Sequence, residues 1–305
     1  MNQIDQLLQL KKERNAIILA HYYQDPEIQD VADFLGDSLA LAQHAQRTSA
    51  DVILFCGVHF MGETAKILNP QKTVVIPDLD AGCSLADSAS SNEFKTWVHR
   101  HPNHTLVSYI NCSADVKAMS DIICTSSNAE TIINSIPSNK PILFAPDQFL
   151  GKFLIKKTKR DLILWKGFCQ VHIMFSLKEL TKLQIRYPKA QVIAHPECEE
   201  KILDCADFIG STTALIKYTQ STKFNTFIVV TEPGVIHQMQ KLNSNKTYIP
   251  LPNNEGCACN ECPYMRLNTI DKMINALDTL EPEIILNDQL INQAKKPLIR
   301  MLELS

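Results

Sequence analysis

The chain repeats one pattern three times along its length, and this repeat limits the folds that are open to it. Apolar runs that end in a polar side chain finish at His21, Tyr109 and His195, in steps of 88 and 86 residues. Self-similarity at a nearly fixed spacing is typical of a structural unit copied within one chain. We therefore expect three similar units.

Hydroxyl side chains follow the same spacing at Ser38, Ser126 and Thr212, again in steps of 88 and 86 residues. The alternative is that any chain of alternating strands and helices repeats its strand spacing, and that these residues are ordinary helix N-caps. The agreement of several independent sets favours the repeat.

A third set consists of cysteines. Cys83, Cys169 and Cys262 are separated by 86 and 93 residues, and each lies in a short loop just after an apolar run. One cysteine therefore comes from each predicted unit.

Short, continuously apolar runs alternate with helical stretches, which is typical of parallel sheets covered on both faces. The sequence predicts an α/β fold of three similar αβα units whose strand ends face one shared site. Strands are predicted near residues 16–21, 52–56, 73–76, 105–110, 121–124, 141–145, 161–165, 191–194, 207–209, 226–230 and 247–249. The predicted units are 1–86, 87–172 and 173–265, followed by closing helices over 266–305 with breaks at Pro282 and Pro297.

Polar residues cluster where these strands end, which is where parallel sheets bind ligands. The predicted polar ring consists of His21, Tyr23, Tyr109, Asn111, His195 and Glu197. His195 and Glu197 lie two residues apart at a strand end, a spacing that suits proton transfer. A lone histidine or tyrosine at a strand end is often structural, and it is the agreement with the repeat that favours a site.

The hydroxyl set suits helix N-termini, where free backbone N–H groups and the helix dipole bind anions. Three such positions in one pocket predict substrates that carry several carboxylates or a phosphate. The alternative, that these residues only cap helices, stays open.

The run Cys257-Ala258-Cys259-Asn260-Glu261-Cys262-Pro263 resembles the ligand runs of iron–sulfur proteins. Zinc is the alternative, but a structural zinc site needs four ligands and no second CxxC pair is present. If each unit supplies one cysteine to a four-iron cube, one iron stays open as a Lewis acid. The remaining cysteines are predicted to be mostly buried apolar residues, at positions 56, 112, 124, 198 and 205.

Composition excludes several classes of function. The chain has 305 residues, 45% of them apolar, and a formal charge of −3, with no basic stripe that would indicate nucleic acid. The sequence shows neither a signal-peptide pattern nor an apolar run of the ~18 residues that a membrane span needs. We expect a cytoplasmic protein, in which ten cysteines do not form a disulfide framework.

Taken together, these motifs resemble those of the quinolinate synthase family, an iron–sulfur family of de novo NAD biosynthesis. The resemblance covers nearly the whole chain. Its motifs are AHYYQ (20–24), GDSL (36–39), CGVHFMGETAK (56–66), DAGCSLA (80–86), YIN (109–111), APD (145–147), GFCQVH (167–172), AHPEC (194–198), GST (210–212) and CPYM (262–265).

The resemblance implies three αβα units around a pseudo-threefold axis. It also implies that iminoaspartate condenses with dihydroxyacetone phosphate to give quinolinate, with loss of phosphate and two waters. The implied cofactor is a [4Fe-4S] cluster on Cys83, Cys169 and Cys262, and a functional link to an L-aspartate oxidase is expected. The implied substrate-binding positions are His21, Ser38, Tyr109, Asn111, Ser126, His195, Glu197 and Thr212.

Tyr23 and Glu197 match the acid–base residues of the family, and His195 joins them as a catalytic candidate. The chain departs from the common CxxCxxC pattern, since it has CxCxxC, so only Cys262 maps securely. Cys257 and Cys259 are then either spare or a redox-active thiol pair. The interpretation from a different class is a non-catalytic iron–sulfur protein, an electron carrier or an oxygen sensor.

Overall fold

The computed structural model describes residues 2–89, 92–253 and 260–305, and within them the chain forms three four-stranded parallel sheets. In every sheet the first strand of the unit pairs with the second on one side and the third on the other, and the fourth lies at the far edge. Helices flank each sheet, so the predicted α/β fold of three similar units is confirmed.

The first sheet has β1 and β3 at its centre, and both are apolar because helices cover the two faces. The register aligns His21 with Gly36 and Ala20 with Cys56, so three strands end at one edge. Its elements are α1 (Gln3–Glu13), β1 (Ala16–His21), α2 (Pro26–Val31), β2 (Phe34–Gly36), α3 (Ser38–Arg47), β3 (Val52–Cys56), α4 (His59–Leu68), β4 (Thr73–Val75) and α5 (Ser84–Asp87).

The second sheet repeats this arrangement, and its register aligns Tyr109 with Cys124 at the carboxyl edge. Its elements are α6 (Asn92–His99), β5 (Thr105–Tyr109), α7 (Ala114–Met119), β6 (Ile122–Cys124), α8 (Ala129–Ser135), β7 (Ile142–Ala145), α9 (Gln148–Thr158), β8 (Leu162–Leu164) and α10 (Gln170–Ile173).

The third sheet aligns Ala194 with Ile209 and with Val230 at its carboxyl edge. Its elements are α11 (Leu177–Arg186), β9 (Gln191–Ala194), α12 (Glu200–Leu203), β10 (Phe208–Ile209), α13 (Thr212–Ser221), β11 (Thr226–Val230), α14 (Val235–Leu242) and β12 (Thr247–Pro250).

An aspartate just before the second strand of each sheet marks the repeat at atomic detail. Its carboxylate accepts a hydrogen bond from a backbone N–H in the first strand, at 2.8 Å in all three cases. Because the second strand starts too late to pair with that N–H, the carboxylate replaces the missing carbonyl. The three pairs are Asp33 with Ile18, Asp121 with Leu106, and Asp207 with Val192.

The C-terminal segment contains a 3₁₀ helix (Met265–Leu267), α15 (Ile270–Thr279) and α16 (Asp288–Glu303). Pro282 lies between the two helices as predicted, but the predicted break at Pro297 is wrong, because Pro297 lies inside α16. Proline removes the hydrogen bond to the Gln293 carbonyl. The helix persists because its apolar face, including Leu298 and Met301, is fully buried in a core shared with the first two sheets.

One strand has no counterpart among the predicted strands. Phe34–Gly36 is missed because three residues are too few to show a pattern. Among the described residues, no helix combines the length and apolarity that a membrane span requires.

The burial of α16 yields a stability prediction. Leu298→Ala should lower the free energy of unfolding by about 2–5 kcal/mol, because the cavity it leaves lies between α16 and elements of two sheets. The matched control is Lys296→Ala, an exposed position on the same helix that should change it by less than ~0.5 kcal/mol. Urea unfolding of both variants is the measurement, and equal midpoints would show that α16 is not part of the core.

Candidate active site

A central cavity lies where the carboxyl edges of the sheets meet. Parallel strands present the residues that follow them at one edge, so the three edges can enclose one space. All the site residues predicted from the sequence line it: His21, Tyr23, Ser38, Cys83, Tyr109, Asn111, Ser126, Cys169, His195, Glu197, Thr212 and Cys262. The geometry gathers these residues, while the roles assigned to them remain predictions.

The three cysteines share one local environment. Cys83 and Cys169 are the N-caps of α5 and α10, and Cys262 lies just before the 3₁₀ helix. Burial raises the pKa of each thiol, that of Cys83 to about 12. A hydrogen bond from the backbone N–H three residues further on, at positions 86, 172 and 265, opposes that rise in each case.

This environment is suited to a bound metal centre. Buried thiols stay protonated unless a cation displaces the proton, and N–H groups directed at sulfur stabilise the thiolate. Cys257 and Cys259 lie outside the described residues.

Glu197 lies at the centre of the polar side chains. Its Oε2 atom is 2.8 Å from Nδ1 of His172 and 3.4 Å from Nδ1 of His195. Burial favours the neutral acid, but the two imidazoles outweigh it and hold the pKa of Glu197 below its ordinary value. The carboxylate is therefore ionised at neutral pH.

His172 connects Glu197 to the cysteine set. Its Nδ1 atom lies 3.1 Å from Sγ of Cys169, and the ligand atoms of Cys169, His172 and Glu197 all lie within 4.8 Å of one another. The structure thus places His172 between the sulfur and the carboxylate.

Tyr23 begins a continuous chain of hydrogen-bonding groups. Its Oη atom lies 2.9 Å from Oγ1 of Thr212 and 2.8 Å from Oγ1 of Thr231. Thr231 Oγ1 lies 3.0 Å from Nε2 of His172, whose other ring nitrogen faces Glu197. Burial raises the pKa of Tyr23 well above 10, so the phenol is protonated.

The three hydroxyl residues of the repeat do not occupy the same structural position. Ser38 and Thr212 are the first residues of α3 and α13, and the capping is done by the residues before them, Asp37 and Ser211. Ser126 instead lies in a turn and contacts Nε2 of His195 at 3.2 Å. The prediction of a helix N-terminus is thus correct for two positions and wrong for Ser126, and none of the three is an N-cap.

Two buried acceptor atoms in the cavity have no hydrogen-bond partner within the described parts of the chain, Oδ1 of Asn111 and Oε1 of Glu197. An unpaired buried acceptor is costly, so both atoms are available to a ligand. The cavity therefore offers donors and acceptors for a small polar molecule.

Sequence reasoning missed Thr231 and Glu232, which follow β11 at the carboxyl edge of the third sheet. The available signal was an apolar run ended by polar residues, the same pattern that identified His21, Tyr109 and His195.

The fold and the cavity define an α/β protein of three repeated units with a cysteine-containing central pocket. Residues 5–303 match the family profile described as quinolinate synthetase A protein. The chain is 59% identical over 302 residues to the quinolinate synthase of Cyanophora paradoxa, covering 99% of this chain and 92% of that protein. It is 58% identical over 296 residues to those of Trichormus variabilis and a Synechocystis species, covering 97% of this chain and 91% and 93% of theirs. The chain belongs to the quinolinate synthase family, and it is therefore an enzyme.

The burial of His21 yields a pH prediction. Burial lowers the pKa of its imidazole from 6.5 to about 4, so the ring stays neutral in the folded chain at pH 6. As the pH falls from 6.5 towards 4, the His21 ring binds a proton in the unfolded state but not in the folded state, so the free energy of unfolding decreases. Between pH 6.5 and pH 4, the free energy of unfolding should therefore fall by up to ~3 kcal/mol less in His21→Asn than in the wild type.

The direct measurement is an NMR titration of the His21 ring in the metal-free chain. The expected midpoint is about 4. A midpoint near 6.5 would show that His21 is hydrated and not part of a closed cavity.

Proposed function

We propose that this chain condenses iminoaspartate with dihydroxyacetone phosphate to give quinolinate, with loss of phosphate and two waters. The observation that carries the proposal is the central cavity, where one cysteine from each unit lies beside imidazoles, phenols and a carboxylate. Both substrates are small and anionic, which suits a cavity lined by hydrogen-bond donors.

A [4Fe-4S] cluster on Cys83, Cys169 and Cys262 fits this donor set. The three sulfurs line one cavity, and each receives a backbone N–H that favours the thiolate required by iron. When bound through three protein ligands, the cluster supplies one open Lewis-acid iron that assists the loss of water.

The N-termini of α3 and α13 are the proposed anion sites. Both helices have ten residues and begin at Ser38 and Thr212, which add hydroxyl donors to the free backbone N–H groups. These groups bind carboxylates and phosphate, because the helix dipole places positive potential there. His21 and Asn111 then bind the uncharged atoms of the substrates, Asn111 through its free Oδ1. Tyr109 and Ser126 complete the proposed substrate-binding positions.

Glu197 is the proposed general base. It is ionised, and its Oε1 atom, which has no hydrogen-bond partner in the described parts of the chain, can accept a proton from substrate carbon or nitrogen. His195 orients it, since Nδ1 faces the carboxylate and Nε2 contacts Ser126.

Tyr23 is the proposed general acid, because its phenol is protonated and reaches the cavity. Thr231 and His172 connect Tyr23 to Glu197 through contacts of 2.8 to 3.0 Å, so a proton taken up at the carboxylate can return to the phenol oxygen. Tyr23 and Glu197 thereby return to their starting protonation states after each cycle.

The proposed units are 1–86, 87–172 and 173–265, with closing helices over 266–305. An L-aspartate oxidase is the proposed source of iminoaspartate. A non-catalytic electron carrier is not favoured, because the family is an enzyme family and an electron carrier has no use for free acceptors and helix N-termini in a cavity.

Substitutions in the polar ring test the catalytic proposal. Tyr23→Phe and His195→Ala should each lower turnover ~10²- to 10⁴-fold in an anaerobic assay with both substrates, because each removes a group needed for proton transfer. The cluster absorbance should be retained. Tyr22→Phe is the matched control, since Tyr22 is the adjacent phenol and does not line the cavity. Full activity in both cavity variants would refute the assignment.

A further inference from the structure

Cys262 lies in a short segment, residues 260–268, that contacts all three units. Buried Asn260 donates to the carbonyl of Val171 at 2.6 Å, next to the Cys169 loop of the second unit. At the other end, buried Asn268 donates to the carbonyl of Gly57 in the first unit at 2.9 Å. The contact with the third unit lies between these two anchors.

That contact is made by Glu232, a carboxylate with no exposed surface that also lines the central cavity. Its Oε1 atom accepts hydrogen bonds from the backbone N–H of Cys262 at 3.3 Å and from Nη2 of Arg266 at 2.5 Å. Its Oε2 atom accepts the backbone N–H of Gly234 at 2.7 Å. Arg266 extends the link to the first unit, because Nη1 donates to Oδ1 of Asp25 at 2.8 Å.

The three cysteines differ in what holds them. Cys83 and Cys169 each cap a helix that directly continues the chain, so their backbone position is fixed by their own elements. Cys262 precedes only the three-residue 3₁₀ helix, to which a backbone hydrogen bond of 3.3 Å from the Arg266 N–H connects its carbonyl. Side-chain contacts from outside the segment add to this short local structure.

We propose that Glu232 and Arg266 are positioning residues for Cys262, and that they hold its sulfur in place beside the sulfurs of Cys83 and Cys169. The predicted effect on cluster retention rests on the proposed function, whereas the predicted effect on the order of the segment 260–268 does not. Glu232 is fully buried and Arg266 is only 19% exposed. Removing Arg266 therefore leaves a buried carboxylate without its cation, and removing the charge of Glu232 weakens its hydrogen bonds to Arg266 and to the Cys262 N–H, so either change should release the segment.

The first test uses the cluster-free chain and needs no cofactor. Iodoacetamide labelling, resolved by site with mass spectrometry, measures the accessibility of Cys262 and of Cys83 in the same sample. Arg266→Met and Glu232→Gln should speed the labelling of Cys262 by on the order of tenfold while leaving Cys83 unchanged, because one charge-assisted hydrogen bond no longer closes the segment. Arg266→Lys should give an intermediate rate, since an ammonium cannot bridge two carboxylates as the planar guanidinium does.

Lys66→Met is the matched control. Lys66 forms a largely buried ion pair with Glu283 at 2.9 Å, and neither residue lines the central cavity. Thermal unfolding of all variants separates local release from general destabilisation. The control should match the Arg266 variant in lost thermal stability and show the wild-type labelling ratio of Cys262 to Cys83.

The second test uses the iron-loaded protein without oxygen. Iron release to a chelator should be faster by on the order of tenfold in Arg266→Met and Glu232→Gln than in Lys66→Met, and the electron paramagnetic resonance signal of the reduced cluster should broaden. An unchanged labelling ratio of Cys262 to Cys83 in both variants would overturn the proposal, whatever the cluster does. A wild-type chain that binds no iron would instead overturn the proposed function and leave the positioning of Cys262 to be decided by the labelling.

Discussion

Within each sheet of this protein all four strands run in the same direction, and the chemistry depends on this constraint. Residues that follow parallel strands emerge at one edge, so three such edges directed at one centre gather side chains from distant parts of the sequence. His21, Tyr109 and His195 meet for this reason, although steps of 88 and 86 residues separate them. The aspartate that replaces a missing strand carbonyl in every unit indicates that the copies share detailed geometry as well as topology.

Burial then determines what the gathered side chains can do. A polar group without water must find a partner in the protein or in a ligand. Glu197 contacts two imidazoles and stays ionised, and Tyr23 hydrogen-bonds two threonine hydroxyls and stays protonated. Oδ1 of Asn111 and Oε1 of Glu197 have no hydrogen-bond partner among the described residues, which leaves both atoms open to a ligand.

Much of the site could be predicted, because the repeat converts a few clear strand ends into three equivalent positions. The same logic explains what was missed. Thr231 and Glu232 follow the third strand of their unit, whereas the comparison of strand ends was made at the first strand. Ser126 keeps the spacing of Ser38 and Thr212, but two turn residues separate it from α8, and spacing alone does not show where a helix begins.

Errors in the fold have equally local causes. The strand Phe34–Gly36 is defined by pairing with β1 and by the Asp33 carboxylate, neither of which is visible in three residues of sequence. Pro297 was expected to end a helix because its lost hydrogen bond is evident from the sequence. The burial of Leu298 and Met301 in a core shared by two sheets, which offsets that loss, is evident only in three dimensions.

The central claim is that each unit contributes one sulfur to a single centre. The most direct measurement is iron and acid-labile sulfide per chain in protein purified without oxygen, compared among single cysteine-to-serine variants. We expect about four of each in the wild type, loss of both in Cys83→Ser, Cys169→Ser and Cys262→Ser, and retention in Cys257→Ser. Zinc in place of iron, or a cluster that survives the loss of Cys83 or Cys169, would contradict it.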